Sequence, residues 1–304
     1  MRIRLVLINA ILFAVLVSCS KNEKIKFSTT FVEFSTNVKI TIYNVCLSDS
    51  SRVYDVFNKS EKIFEYFNSE MNPYDENSSL AKMNSHFQDQ KIGIPESLKE
   101  IIQISRNIYK YTGRAFDVAV LPIVELWGFY SLSSPKVPDK QELAELLAVS
   151  NLENYIFDGD SVTVKDSRCK IGLGGIAKGY AIDSVAAFIK QKGFKDFIVE
   201  AGGDLIVKSS TGKTIGIKHP RSENELIDTL YISDAAVATS GDYEKFIIED
   251  GRRYCHIINP ETGYGISDCV GITIISDKAY MSDAFATAVF VMGREKGKHF
   301  IEKN

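Results

Sequence analysis

Basic residues are too few to outweigh the acidic ones: 36 Lys and Arg against 39 Asp and Glu leave a net charge of −3, and no basic stretch stands out. The electrostatic footprint of a nucleic-acid-binding protein is therefore missing, and nucleic acid is excluded as a partner. Cysteine is scarce, with five among 304 residues, and no two form a CxxC pair; the four histidines never fall at zinc-finger spacing. A structural zinc site is thereby excluded. Beyond Cys19, the cysteines Cys46, Cys169, Cys255 and Cys269 can serve as small buried apolar residues or, in an oxidising compartment, pair in any of three ways. Internal repeats and low-complexity linkers are absent, so nothing marks a division into domains. What is plentiful is apolar surface: 45% hydrophobic and 11% aromatic residues suffice for one large or two small cores.

The first residues carry their own pattern. Arg2 and Arg4 precede an apolar run from Leu5 to Val17, interrupted by Asn9 and followed by Ser18, Cys19 and Ser20. That run is short of the ~20 residues a membrane-spanning helix needs, and a basic start with a small-residue end is the layout of an export signal. Leu16-Val17-Ser18-Cys19 also resembles a lipobox, in which the cysteine is acylated and becomes the new N-terminus. Residues 1–18 are thus read as a lipoprotein-type signal peptide, 19–26 as a lipid-anchored polar tether and 27–304 as the folded domain. A short membrane anchor or an ordinary cleaved signal are the alternatives.

Further along, the apolar period changes repeatedly. Val38 to Tyr43 alternates as a strand does, whereas Ser51 to Asn68 places Val53, Val56, Phe57, Ile63, Phe64 and Phe67 at helical spacing. Ser97 to Thr112 predicts a second helix stopped by Gly113, and Lys140 to Ala148 a third. Ile156 to Lys165 reads as a hairpin turning at Asp158-Gly159-Asp160, and Ile198 to Lys208 as strand pieces about Gly202-Gly203. Strands and helices interleave without a regular βαβ beat, which favours an α+β fold over a doubly wound sheet.

Three segments carry chemistry. Lys170 to Asp183 holds Gly172, Gly174, Gly175, Lys178 and Gly179 ahead of an amphipathic helix running to Lys192. Such a turn can cradle phosphate, because glycine lets backbone N–H groups approach an anion and a lysine adds full charge. It is neither a GxGxxG nor a P-loop, and a purely structural turn is the alternative. Ser282-Asp283 opens an apolar helix in which Asp283 and Thr287, four apart, share a face and offer two oxygen donors to Mg²⁺; Ser282 or Asp283 could equally be a helix cap. Tyr254 to Gly263 is a strand and a Pro260 turn containing His256, which can shuttle a proton or be structural. Together they imply Mg²⁺-dependent chemistry on a phosphate-bearing ligand.

In this order the segments resemble the ApbE family of FAD:protein FMN transferases across nearly the whole of the chain beyond residue 26. Six stretches carry the resemblance: Met71 to Asn84 with Tyr74 and Leu80; Gly113 to Phe129 with Phe116, Asp117, Pro122 and Trp127; the glycine-rich loop; Thr239 to Tyr243; His256 to Gly263; and Asp283 to Thr287. The resemblance implies an ApbE-like, T-fold-related α+β architecture of mixed and antiparallel sheets with a cleft for FAD. It implies flavin contacts from Tyr74 and from Ala115, Phe116 and Asp117, and further ligand contacts near Lys178, His256 and Ile257. It implies a metal held by Asp283, Thr287 and the carbonyl of Gly175. Three positions depart from the family pattern: Gly172 stands for an Asp that helps hold FAD, Asn259 for an Asp, and Phe34 for a Met that contacts the flavin. The family also commonly adds a strand beyond the point where this chain ends.

The implied reaction is Mg²⁺-dependent transfer of the FMN half of FAD to a Thr or Ser hydroxyl of another protein, with AMP leaving. His256 is the candidate proton acceptor, ahead of Asp283, since a metal-bound carboxylate is a poor base. The implied acceptor belongs to a membrane redox complex or is an exported flavoprotein, and the enzyme is expected in a bacterial cell envelope, lipid-anchored and facing the periplasm or exterior. A Mg²⁺-dependent FAD pyrophosphatase and a flavin-binding lipoprotein without chemistry are the competing readings.

Overall fold

The computed structural model of the chain describes residues 23–86, 88–130, 134–222 and 224–303, so the expected signal peptide and Cys19 lie outside the described residues. In chain order the elements are β1 (Lys24–Glu33), β2 (Thr36–Cys46), α1 (Ser50–Met71), α2 (Ser79–Asn84), β3 (Ile92–Gly93), α3 (Glu96–Tyr111), α4 (Leu121–Trp127) and α5 (Lys140–Leu147). They continue with β4 (Tyr155–Asp158), β5 (Ser161–Val164), α6 (Ala177–Gln191), β6 (Phe197–Ala201), β7 (Asp204–Lys218), β8 (Leu226–Gly241), β9 (Phe246–Glu249), β10 (Arg252–Cys255), β11 (Gly271–Ser276) and α7 (Ala279–Lys303). Because β1 begins at Lys24, three residues read as tether belong to the first strand. Among the described residues no helix is long and apolar enough to cross a membrane.

Six strands form one sheet in the order β1-β2-β6-β7-β8-β11, with every neighbouring pair antiparallel. The α+β expectation therefore holds. Alternation decides the faces: Val38, Ile40 and Ile42 of β2, Val199 of β6 and Ile206 of β7 point into the main core, which they share with Val53, Val56, Phe57 and Phe64 of α1 and Ile182, Val185 and Ile189 of α6. The in-between residues Leu205, Val207 and Val237 face the other way. They are covered by their own hairpin: the β7–β8 register breaks between Lys208 and Lys213, and beyond it Ile215, Leu230 and Ile232 pack back onto them. Near the returning tip, Arg221 clamps the buried carboxylate of Asp242 through two hydrogen bonds of 2.7 and 2.6 Å. A separate small core gathers Ile123, Trp127, Phe129, Leu143 and Ile258, with Trp127 Nε1 donating to the Gly263 carbonyl at 2.8 Å.

Two details of helix packing set up the cleft. The helix bearing Asp283 starts at Ala279 rather than at Ser282, so neither Ser282 nor Asp283 is its cap. Asp183 of α6 takes that role, accepting the Tyr280 N–H at 3.0 Å. Helix α6 is also less amphipathic than its sequence suggests, with Ala177, Gly179, Tyr180, Ala181 and Ile182 all buried in its first two turns. Gly179 is the point of closest approach, since a Cβ there would lie 2.5 Å from the Ala279 carbonyl oxygen. Backbone on the far side cannot swing away. Gly179→Ala is therefore expected to cost about 3 kcal/mol or more of stability, at or above the upper end for overpacking; urea unfolding would measure it, and a loss under 1 kcal/mol would mean the helices slide apart at little cost.

Candidate functional site

The expected site residues come from six separated segments, yet Phe34, Tyr74, Ala115, Phe116, Asp117, Gly172, Gly175, Lys178, His256, Ile257, Asp283 and Thr287 all line one cavity of about 550 Å³. Phe34 and Ser35 form the β1–β2 turn with φ of 51° and 57°, left-handed values that a side chain adopts at a cost. Tyr74 follows α1 in a turn fixed by Asn72, whose side-chain oxygen accepts the Tyr74 N–H at 3.0 Å and whose carbonyl accepts the Ser78 hydroxyl at 2.6 Å. Opposite stand the glycine loop leading into α6 and the first turns of α7.

At the deep end lies a charge cluster. Lys178 Nζ sits 3.2 Å from Asp204 Oδ2 and 3.9 Å from Asp283 Oδ2, and the Gly179 N–H donates to Asp283 at 3.3 Å. Burial pushes the Asp283 carboxyl up to about 7, while Lys178 pulls it back. The same proximity, with Asp283 foremost, holds the Lys178 ammonium well above its usual range. One turn beyond Asp283, the Thr287 hydroxyl lies 3.4 Å from that of Ser240, and a Cβ on Gly175 would come within 3.0 Å of Thr287 Oγ1. The glycine is what lets the loop backbone approach that hydroxyl.

This donor set fits a hard divalent cation. Among the described residues no three His, Cys, Asp or Glu side chains gather as a metal-binding group. Mg²⁺, however, needs only one or two carboxylates and keeps the remaining positions for water and phosphate oxygens. The charges point the same way: Asp204, Asp283 and Glu244 act on Lys178, and Lys245 acts on Glu244, so these carboxylates outnumber the ammonium groups facing them, a balance that a cation would offset when phosphate enters.

Toward the mouth, His256 Nδ1 lies 3.3 Å from the Lys245 carbonyl and Nε2 lies 3.8 Å from Glu244 Oε2. Burial, aided by the charges of Lys245 and Lys178, pushes the imidazole down to about 4 against that carbonyl hydrogen bond, so the ring is neutral near pH 7. Glu244 is raised by burial as well. Asp117, buried on the cavity wall, accepts the Ala119 N–H at 2.9 Å and lies 3.7 Å from Arg114 Nε. Burial raises it to about 6. At Gly172 a Cβ would meet the Leu121 side chain at 3.2 Å, so this stretch of wall is apolar. Asn259 is set back from the cavity and caps its own turn, accepting the N–H groups of Glu261 and Thr262 at 2.8 and 3.3 Å.

Sequence reasoning passed over Asp204, Glu244 and Tyr130, which share the cavity. Asp204 directly follows Gly202-Gly203, Glu244 follows the Thr239 to Tyr243 stretch and Tyr130 follows Phe129, so each adjoins a motif that was noticed. The described cysteines form no disulfide; Cys169 and Cys255 are buried, and Cys46 and Cys269 partly so.

The chain is similar to the FAD:protein FMN transferase of Vibrio cholerae, 31% identical over 254 residues that cover 80% of this chain and 75% of that protein. It is 29% identical to the FAD:protein FMN transferase of Haemophilus influenzae over 306 residues, 95% of this chain and 87% of the relative. Among solved structures, the flavin transferase ApbE from Vibrio cholerae superposes with a TM-score of 0.83 at 27% identity, covering 93% and 92% of the two chains. The ApbE protein from Thermotoga maritima gives 0.83 at 31% identity, covering 91% and 90%. With the ApbE family pattern matching residues 34–304, the chain belongs to the ApbE family.

Proposed function

We propose that this protein transfers the FMN moiety of FAD to a Thr or Ser hydroxyl of an acceptor protein, releasing AMP. The observation that carries the reading is the convergence of Asp283, Thr287, Lys178 and His256 on one cavity in a chain of this family. Asp283, Thr287 and the Gly175 carbonyl would hold Mg²⁺, which would neutralise charge on the pyrophosphate and on the departing AMP. Lys178 holds positive charge at the deep end, facing Asp204 and Asp283. His256, neutral and anchored through Nδ1 by the Lys245 carbonyl, leaves Nε2 free to accept the proton of the attacking hydroxyl. The hydroxyl oxygen bonds to the FMN phosphorus as the phosphorus–oxygen bond to AMP breaks, so FAD and acceptor are consumed one for one.

The acceptor is proposed to belong to a membrane redox complex or to be an exported flavoprotein, and the protein itself to be held on a membrane, facing the periplasm or exterior, through an acylated Cys19. Cys19→Ser is then expected to release it to the soluble fraction. The activity is tested by mixing the protein with FAD, Mg²⁺ and such a domain, measuring AMP and flavin fluorescence on a denaturing gel. A fluorescent acceptor band that vanishes with EDTA is the expected result. AMP and FMN without a band across several acceptors would favour the pyrophosphatase, in which water replaces the hydroxyl; FAD left whole would favour a binding protein.

A further inference from the structure

An acyl chain on Cys19 would leave the folded domain little slack. Five residue steps separate Cys19 from Lys24, where β1 begins, and at ~3.5 Å each they reach about 18 Å at most. Strand β1 then runs away from that point for ten residues, about 30 Å at ~3.3 Å per residue, and delivers Phe34 and Ser35 to the cavity. Helix α6 spans the same distance in reverse. Lys178 near its start lines the cavity, and Lys192 just past its end gives its carbonyl to Arg52 in the first turn of α1, close to where β2 ends at Cys46. Because the tether is shorter than β1, the cavity end of the domain cannot be turned onto the bilayer.

The end nearest the anchor has a surface of its own. Lys24 pairs in register with Cys46, the Tyr43 N–H donates to the Asp196 carbonyl at 2.8 Å, Lys213 Nζ lies 4.1 Å from the Tyr43 ring centroid and the Arg52 guanidinium stands 4.7 Å from that of Phe194. These contacts gather Lys24, Lys26, Arg52, Lys192, Lys195 and Lys213, all but the last exposed. Glu23, Asp49, Asp55 and Asp196 share this end; Asp49 lies 4.0 Å from Arg52, and Asp196 accepts the Ser210 N–H and hydroxyl at 2.7 and 2.9 Å. The local balance is thus positive on a chain whose net charge is −3. Leu47 and Tyr54, each 58% exposed, stand among these charges, and an aliphatic and an amphipathic ring side chain suit a headgroup layer. We propose that this end is a docking face for anionic lipid headgroups, which seats the protein end-on and holds its cavity about 30 Å from the bilayer; this rests on the acylation of Cys19 and deepens it. An acceptor hydroxyl must then stand about as far from the membrane as β1 is long.

The test places a tryptophan at either end of β1 in the full protein on vesicles of phosphatidylcholine and phosphatidylglycerol with brominated acyl chains. Trp127, the chain's single tryptophan, is fully buried and adds a constant background. Leu47→Trp is expected to emit at shorter wavelength and to be quenched by the bromines, whereas Val32→Trp, near the far end of β1 and 65% exposed, should emit as it does in water. Adding Lys192→Gln or Lys195→Gln to Leu47→Trp should lower the ratio of docked to undocked protein about fivefold each, the scale of one basic residue at an anionic surface. Phosphatidylcholine alone, or high salt, should undock the face without releasing the acyl chain. Leu47→Trp no more quenched than Val32→Trp, or indifferent to lipid charge and to both lysines, overturns the proposal. Mass spectrometry of the purified chain reads the anchor separately. If Cys19 carries no acyl chain, the anchor falls; binding of that chain to vesicles with phosphatidylglycerol but not to phosphatidylcholine alone then keeps the face, and failure to bind overturns it as well.

Discussion

Asp283→Ala is expected to lower AMP release by about 10³-fold or more, the scale at which loss of one preorganised electrostatic group is felt in a dry site. The carboxylate is buried, faces Lys178 at 3.9 Å and supplies the only charged donor beside Thr287 in the proposed cation site. Asp283→Asn separates charge from packing, because an amide oxygen can still accept the Gly179 N–H now bonded at 3.3 Å. It should lose as much activity while folding normally. The pH dependence carries a sign that can be checked. Burial raises the folded-state value of Asp283 from 3.8 to about 7, so the stability this group contributes at low pH is lost as pH rises from ~4 through ~7. Metal-free wild type should therefore weaken over that window more than Asp283→Asn does. Mg²⁺ reverses the loss by binding the ionised form, stabilising wild type by about 2.7 kcal/mol at a hundred times its dissociation constant and the variant hardly at all. Protons and Mg²⁺ also compete for the same carboxylate, so the acid limb of activity should lie near pH 7 at low Mg²⁺ and move downward as Mg²⁺ is raised. A variant that keeps its Mg²⁺-dependent melting shift would place the cation elsewhere.

Much of this is legible in the sequence alone, and the reason is local. The alternation of Val38, Ile40 and Ile42 marks a strand with one buried face, and the spacing of Val53, Val56, Phe57 and Phe64 marks a helix packed on it; both patterns are set by residues a few positions apart. The cavity residues were legible through resemblance rather than periodicity, since nothing in the spacing of Phe34, Asp117, His256 and Thr287 says that they meet. What escaped depends on distant partners. The start of α7 is fixed by Asp183, 97 positions earlier, so the nearby Ser282 and Asp283 looked like caps when they are not. The outer half of the β7–β8 hairpin reads as an ordinary ribbon until its return onto Leu205, Val207 and Val237 is seen. At Gly172, read from the resemblance as a departure from the family pattern, the Leu121 side chain lies 3.2 Å from where a Cβ would stand, a packing that no local spacing announces.

His256 should separate chemistry from binding. His256→Gln is expected to slow FMN transfer about 10²–10⁴-fold, the range for loss of a positioned general base, while FAD affinity changes little. In the free protein the imidazole is pushed down to about 4. It is a shifted group of the opposite sense to Asp283: its folded value lies below the ordinary 6.5, so its contribution to stability is present above pH ~6.5 and is lost as pH falls through ~4. A base that weak accepts protons poorly, but its depression comes from burial and from the charges of Lys245 and Lys178, and a pyrophosphate entering beside those lysines offsets them. On the proposed mechanism the substrate would thereby strengthen its own base. The ring should titrate near pH 4 in the free protein and distinctly higher with FAD bound, which NMR of the His256 ring would follow. Correspondingly, the His256 limb in kcat should lie above that in kcat/KM when Mg²⁺ is saturating. Imidazole added to His256→Gly should restore part of the transfer, since truncation leaves a ring-sized gap beside Tyr130 and Phe129. Transfer by His256→Gln within tenfold of wild type would instead assign proton acceptance to another group, and Glu244, 3.8 Å from Nε2 and itself raised by burial, is the group to which that result would point.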